Sequence, residues 1–189
     1  DYRDSWGMIA VVGLGVFAED WKDYDTGTNT VDEASGSWIG LDPLWTTDAK
    51  LGGYGLNFDG VNDHIAMQTH FDSVGALPEV SASVWFKTSF SSAGNWDNWA
   101  LIDFDRSDYF NLYVTGDGRL GFSTANGTGS VDDMYSTESG FNDNQWHHVC
   151  AVYDGTDKII YADGEEIERK NNPHDGGALG TGNIRYGII

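Results

Sequence analysis

Cysteine, proline and positive charge are all scarce in this chain, and each scarcity closes off a class of protein. The one cysteine, Cys150, has no partner for an internal disulfide, which excludes a small fold stapled by disulfides. Ten Lys and Arg stand against 30 Asp and Glu, a formal net charge of −20. Such a surface repels a phosphate backbone, so nucleic acid is excluded as a partner. The longest apolar run, MIAVVGLGVFA from Met8 to Ala18, falls well short of the roughly 20 residues that a membrane-spanning helix needs. It reads as a buried strand or as the stub of a hydrophobic N-terminal segment. The sequence opens at Asp1 without an initiator methionine or a basic leader, which suggests a processed or excised chain. Signatures of catalysis are missing too: there is no Gly-x-Ser-x-Gly elbow, no His-Glu-x-x-His pair and no phosphate loop.

What is present is glycine and aromatic residue: 25 glycines against 3 prolines, with 14% Phe, Trp and Tyr. Aromatic strands joined by glycine turns are the natural outcome of such a mixture. The alternating pieces are GYGLNF (Gly53 to Phe58), DHIAMQT, Val80 to Ser89, Trp99 to Phe104, Tyr109 to Thr115, Arg119 to Thr124, QWHHVCAVYD and KIIYADGEEI. Asp59-Gly60, Gly116-Asp117-Gly118, Asp154 to Asp157 and Asp163-Gly164 supply the tight turns between them. No segment carries a helical period. The pattern predicts an all-β fold, an antiparallel β-sandwich of jelly-roll type, with no internal repeat and no second domain.

The stretch WHHVCAVYDG from Trp146 invites a metal or nucleophile reading, because it sets two histidines beside the only cysteine. On a strand, residues two apart share a face. Trp146, His148, Cys150 and Val152 then lie on one side, and His147, Val149, Ala151 and Tyr153 on the other. The histidines point apart and Cys150 has no activating neighbour in sequence, so the stretch is structural.

These same residues carry a family resemblance. NDNQWHHVCAVYDGTDKIIYADGEEI resembles the signature of the laminin G-like, pentraxin-like branch of the concanavalin A-like lectin/glucanase jelly rolls. LGGYGLNFDGVNDHIAM is similar to that family's earlier hairpin, VSASVWFKTS to its next strand, and TVDEASGS to its Asp-Ser-Ser-Gly loop. The match runs from about Val12 to the end. It implies one laminin G-like jelly-roll domain over residues 1–189, with residues 1–12 as a candidate N-terminal extension strand. Family members usually add a loop and a final strand after a segment like GNIRYGII, and that strand pairs with the first. The resemblance therefore predicts an open edge here, which the apolar N-terminus would fill in its own subunit or in a neighbour; a truncated fragment is the plainer alternative.

The Glu-x-Asp-x-x-Glu arrangement of the family's endoglucanases is absent, and Glu166 and Glu168, which share a face, sit after a turn as on a solvated edge strand. The chain is read as not an enzyme. Calcium is the ion the acidic loops suit. Asp103 and Asp105 fall on one face with Asp108 across a short turn, and in pentraxins the matching loop supplies an acidic pair to calcium. Asp23, Asp25 and Asp32, with Asn29, form an alternative calcium loop, and in both places a hydrated acidic loop is the competing reading. For carbohydrate, Asn95, Trp96, Asp97, Asn98 and Tyr109 offer an aromatic surface with polar partners. Asn126-Gly127-Thr128 is a glycosylation sequon. The expected role is an extracellular, non-catalytic binding module for a glycan or a cell-surface ligand, assisted by calcium. The rival is a structural subunit of a filament, fibre or particle that self-assembles through Met8 to Phe17.

Overall fold

The computed structural model describes residues 8–11, 44–58, 75–93, 98–182 and 187–189. Eleven strands are described: β1 (Met8–Val11), β2 (Leu44–Thr46), β3 (Gly55–Asn57), β4 (Val80–Thr88), β5 (Asn98–Phe104), β6 (Phe110–Thr115), β7 (Leu120–Ala125), β8 (Val131–Tyr135), β9 (His147–Tyr153), β10 (Lys158–Ala162) and β11 (Glu165–Lys170). Among the described residues there is no helix. The strands form two antiparallel sheets, one of seven in the order β11-β10-β9-β4-β1-β3-β2 and one of four in the order β5-β6-β7-β8. The protein is thus an all-β sandwich, as the alternation and the glycine turns predict.

Period-2 alternation decides which side chains enter the core. On β4 Val84 and Phe86 point inward, and on β9 Val149, Ala151 and Tyr153, all buried. From the small sheet Ile102, Phe110, Leu112, Phe122 and Met134 meet them in one hydrophobic cluster. Each of the Val, Leu, Ile, Met and Phe side chains contributes about 1.5–3 kcal/mol by leaving water, and truncating Phe86 to alanine would cost about 3–5 kcal/mol. In β6 and β7 every residue is buried, so both faces of those strands are covered.

The WHHVC stretch is structural, as the alternation predicts. The His147 ring packs against Phe86 and Phe141 at the rim of the core, while His148 lies on the outer face against Trp85. Cys150 is half-buried on that outer face opposite Ser83, and burial pushes its thiol up from the ordinary range. An inert thiol follows.

β1 lies inside its own sheet. It pairs with β3 on one side (Ile9 with Asn57, Ala10 with Leu56) and with β4 on the other (Met8 with Thr88 through Val11 with Trp85). Both of its hydrogen-bonding edges are used inside its own sheet, so this part of the Met8 to Phe17 segment is not a free strand awaiting a neighbour; residues 12–17 lie outside the described residues. At the small sheet, Asp103 on the β5 edge exchanges both backbone hydrogen bonds with Ile188, at 2.9 and 2.8 Å. The Asp59-Gly60 hairpin and the strand after it also lie outside the described residues.

β2 and β8 are strands that the alternation does not mark. The TANGTGS patch, which looks like low-complexity loop, is the hairpin turn into β8. Asn126 Oδ1 accepts hydrogen bonds from the Thr128 amide, the Thr128 hydroxyl and the Ser130 amide at 3.1, 2.7 and 3.0 Å. This side-chain closure turns the chain over the loop from Asn126 to Ser130, longer than the two-residue hairpin that an Asn-Gly pair such as Asn126-Gly127 marks. β2 has only three residues, too few to show a period.

Candidate functional site: the acidic turn between β5 and β6

β5 ends at Phe104 because Asp105 adopts a left-handed conformation, with φ of 54°, which breaks the extended alternation. Its carbonyl then accepts the amides of Asp108 and Tyr109 at 2.7 and 2.8 Å, and its Oδ1 accepts the Ser107 hydroxyl at 2.9 Å. A four-residue turn is thereby closed around a carboxylate that is itself fully buried. Asp108 is the outer acid of the turn, and its Oδ1 accepts the Thr181 hydroxyl at 2.8 Å. Arg106 leans the other way and makes a two-pronged ion pair with Asp133 on β8, with Nε to Oδ1 at 2.9 Å and a second contact from Nη2 to Oδ2. Planar guanidinium and planar carboxylate match well in this form.

Behind the turn runs a polar row that crosses the whole small sheet. Asp103, Asn111, Ser123 and Asp133 are direct register partners on β5, β6, β7 and β8. Asp103 is 1% exposed and Asn111 3%. Each has a buried Oδ1 that accepts no hydrogen bond, although buried polar atoms are satisfied in the great majority of cases. Burial pushes the Asp103 carboxyl up to about 6, and the neighbouring Asp105 charge adds to that; the Asn111 side chain and the Asp105 and Arg106 backbone pull the other way. Ser123 is occupied by the Tyr113 hydroxyl at 3.0 Å. The structure thus presents two orphan acceptor oxygens, on paired residues of neighbouring strands, in a row with a buried acid. Such an arrangement calls for a water, a proton or a cation.

Asp103, Asp105 and Asp108 are brought to one turn, but among the described residues no three His, Cys, Asp or Glu side chains form a group that could hold a metal ion. Asn111, an amide, joins them without any motif of its own; its signal is its place directly across from Asp103. Tyr109 is a correction. It is 1% exposed, its hydroxyl donates to the Gly75 carbonyl at 3.3 Å, and its ring lies so close to Gly180 that a Cβ there would overlap Cε1. The turn that leaves Asp108 half-buried seats Tyr109 in the core, so it offers no platform to a sugar. Asn98 begins β5, paired with Thr115. Asn95, Trp96, Asp97 and the alternative loop of Asp23, Asp25 and Asp32 lie outside the described residues. Trp99 is buried, as a strand residue should be. Glu166 pairs with Arg169, and Glu168 accepts the Thr137 amide and hydroxyl.

With this geometry established, comparison with known proteins identifies the family. A family model of laminin G type, described as the concanavalin A-like lectin/glucanases superfamily, matches residues 59–187. The chain belongs to this superfamily. The mouse basement membrane-specific heparan sulfate proteoglycan core protein is similar to this laminin G-like chain, 29% identical over 113 residues. That stretch is 59% of the present chain and 3% of the mouse protein, so the chain spans a small fraction of the curated relative it matches. Among solved structures it is similar to domains LG4-5 of the mouse laminin alpha1 chain (TM-score 0.49, 15% identity, 67% of this chain and 31% of that one). It is also similar to the CBM40 of the Ruminococcus gnavus IT-sialidase (TM-score 0.46, 16% identity, 60% and 64%). A third likeness is to the heptameric SAP-like pentraxin from Limulus polyphemus (TM-score 0.41, 16% identity, 100% and 64%).

Proposed function

We propose that this laminin G-like chain is an extracellular, non-catalytic binding module for a carbohydrate or cell-surface ligand, with calcium held at the β5–β6 turn. The observation that carries the reading is the pair of orphan oxygens, Asp103 Oδ1 and Asn111 Oδ1, beside the acids of the turn. A hard cation with oxygen ligands satisfies both at once and keeps Asp103 ionised. Backbone carbonyls and the ligand's own hydroxyls would complete the shell. Membership in a superfamily described by its lectins supports the glycan, and a relative named for the basement membrane supports the extracellular setting. The engagement of Glu166 with Arg169 and of Glu168 with Thr137 supports binding over hydrolysis, which needs a pair of free carboxylates.

A glycan array probed with the fluorescently labelled chain, once in calcium and once in chelator, tests this directly. Binding to a restricted set of glycans in calcium, weakened in chelator and in Asp103→Asn, is expected. Glycan binding that ignores both calcium and the substitution would remove the cation from the site, and hydrolysis of any bound glycan would remove the non-catalytic role.

A further inference from the structure

The outer face of the seven-stranded sheet carries a group of side chains that the β5–β6 turn does not use. The outward positions of β4 are Ser81, Ser83, Trp85 and Lys87; both serines are exposed and Trp85 is half-buried. His148 of β9 is the register partner of Trp85, with ring centroids 5.1 Å apart and planes tilted by 44°. The segment between β2 and β3 is tied over this face by Asp48, which accepts Lys87 Nζ at 2.6 Å and Trp146 Nε1 at 3.2 Å. From the same segment Lys50 extends above Trp85, its Nζ 5.0 Å from the ring centroid. Leu51 and Tyr54, at 52% and 64% exposure, follow it on that segment.

Lys50 stands out because cations are scarce. Lys87, Arg106, Arg119, Lys158, Arg169 and Lys170 each meet a carboxylate. Among the described residues, Lys50 is the one Lys or Arg for which no carboxylate partner is present, in a chain with 30 acids against 10 bases. Its resting contact is weak, since an ammonium over a solvent-accessible aromatic ring gains little. An indole face stacks well on the apolar face of a sugar ring, and a bond between an ammonium and a carboxylate is roughly twice as strong as a neutral one.

We propose that this face binds an acidic pyranose, a sugar ring bearing one carboxylate: the ring displaces the Lys50 head from Trp85 and stacks there beside His148, while Lys50 Nζ takes the carboxylate. The exposed Ser81 and Ser83 hydroxyls are available to the ring hydroxyls. The net charge of −20 repels long polyanions at low salt, so the site fits a short acidic glycan. It is a second surface, on the sheet opposite the β5–β6 turn, and needs no calcium; it rests on the binding-module reading only for the class of ligand.

The test is calorimetric titration with trigalacturonic acid and with its fully methyl-esterified form, both in chelator so that the β5–β6 turn is silent. The acid should bind at least about tenfold more tightly than the ester, in line with one charge-assisted bond. Lys50→Met, which keeps the aliphatic stem over Trp85, should bring the acid down to the level of the ester. Trp85→Leu should weaken both, and Arg169→Gln, an equal loss of charge on the far edge strand, should change neither. Equal binding of acid and ester, a Lys50→Met variant indistinguishable from wild type, or no binding of either trisaccharide would overturn the proposal. If these fail while the array shows calcium-dependent glycans, the binding-module reading stands without this face. Acid binding in chelator alongside an array with no calcium-dependent glycan supports this face and removes the calcium site.

Discussion

Lys158 Nζ, on β10 of the large sheet, donates to Asp132 Oδ1 at 3.0 Å and to the Asp132 carbonyl at 2.7 Å, on β8 of the small sheet. The lysine is fully buried above the Phe122 ring, and Lys170 Nζ binds the other oxygen of the same carboxylate at 2.5 Å. One acid thereby ties two strands of one sheet to an edge strand of the other. Removing the acid leaves a buried ammonium uncompensated, which costs about 3–5 kcal/mol; replacing the lysine by methionine removes the buried charge itself and leaves Asp132 paired with Lys170, so it costs less. Asp132→Ala should therefore be strongly destabilised in urea, and Lys158→Met only mildly changed. The reverse ranking would show that the pair is not what joins the sheets there.

The same lysine gives stability a dependence on pH. Burial lowers Lys158 to about 8, against the raising influence of Asp132 and Asp133 and with the lowering one of Lys170; His174 is held down by burial and by Lys158. Between about pH 8 and the ordinary lysine value, the unfolded chain holds a proton that the folded chain has given up, so stability rises with pH across that window. The gain between about pH 8 and 10 is on the order of 2 kcal/mol. Asp132 behaves in the opposite sense: burial pushes its carboxyl up, but Lys170 and Lys158 outweigh burial and hold it below the ordinary range. Its contribution is present above the ordinary carboxylate range and is lost as pH falls through the lowered value. Chemical denaturation from acid to pH 10 should show both slopes, and Lys158→Met should abolish the alkaline one.

Gly180 is required by its neighbours. Its φ is +101°, and a Cβ would run into the Tyr109 ring while the Gly180 amide is fixed to the Ala125 carbonyl at 3.0 Å. Strained backbone and overpacking together predict a loss of about 2–5 kcal/mol for Gly180→Ala. Tyr109→Ala in the same chain should restore part of it, and a double-mutant cycle with no coupling would contradict the contact.

The sandwich is legible in the sequence because the pattern that marks it is local. Alternation from Val80 and from Trp146 sets which residues face inward, and the Asp-Gly and Asp154 to Asp157 turns set the hairpins. β8 escapes this reading because its hairpin is closed by one asparagine side chain within a Gly, Ser and Thr patch. The acidic turn is legible as a cluster, but not the burial of Tyr109, which depends on Gly180, far away in sequence. Asn111 and Lys50 have no sequence signal of their own, since the first acquires meaning from register with Asp103 and the second from lying over Trp85.

The most direct test of a cation at the β5–β6 turn is thermal unfolding of the wild-type chain and of Asp103→Asn, at about pH 7.5 where the Asp103 carboxyl is ionised, in calcium and in chelator. A ligand of the folded state at a hundred times its Kd adds about 2.7 kcal/mol, or about 5–10 °C for a chain of this size. The wild type should show that shift in calcium, and Asp103→Asn should lose it. A wild-type Tm that calcium does not move would contradict a cation at this turn.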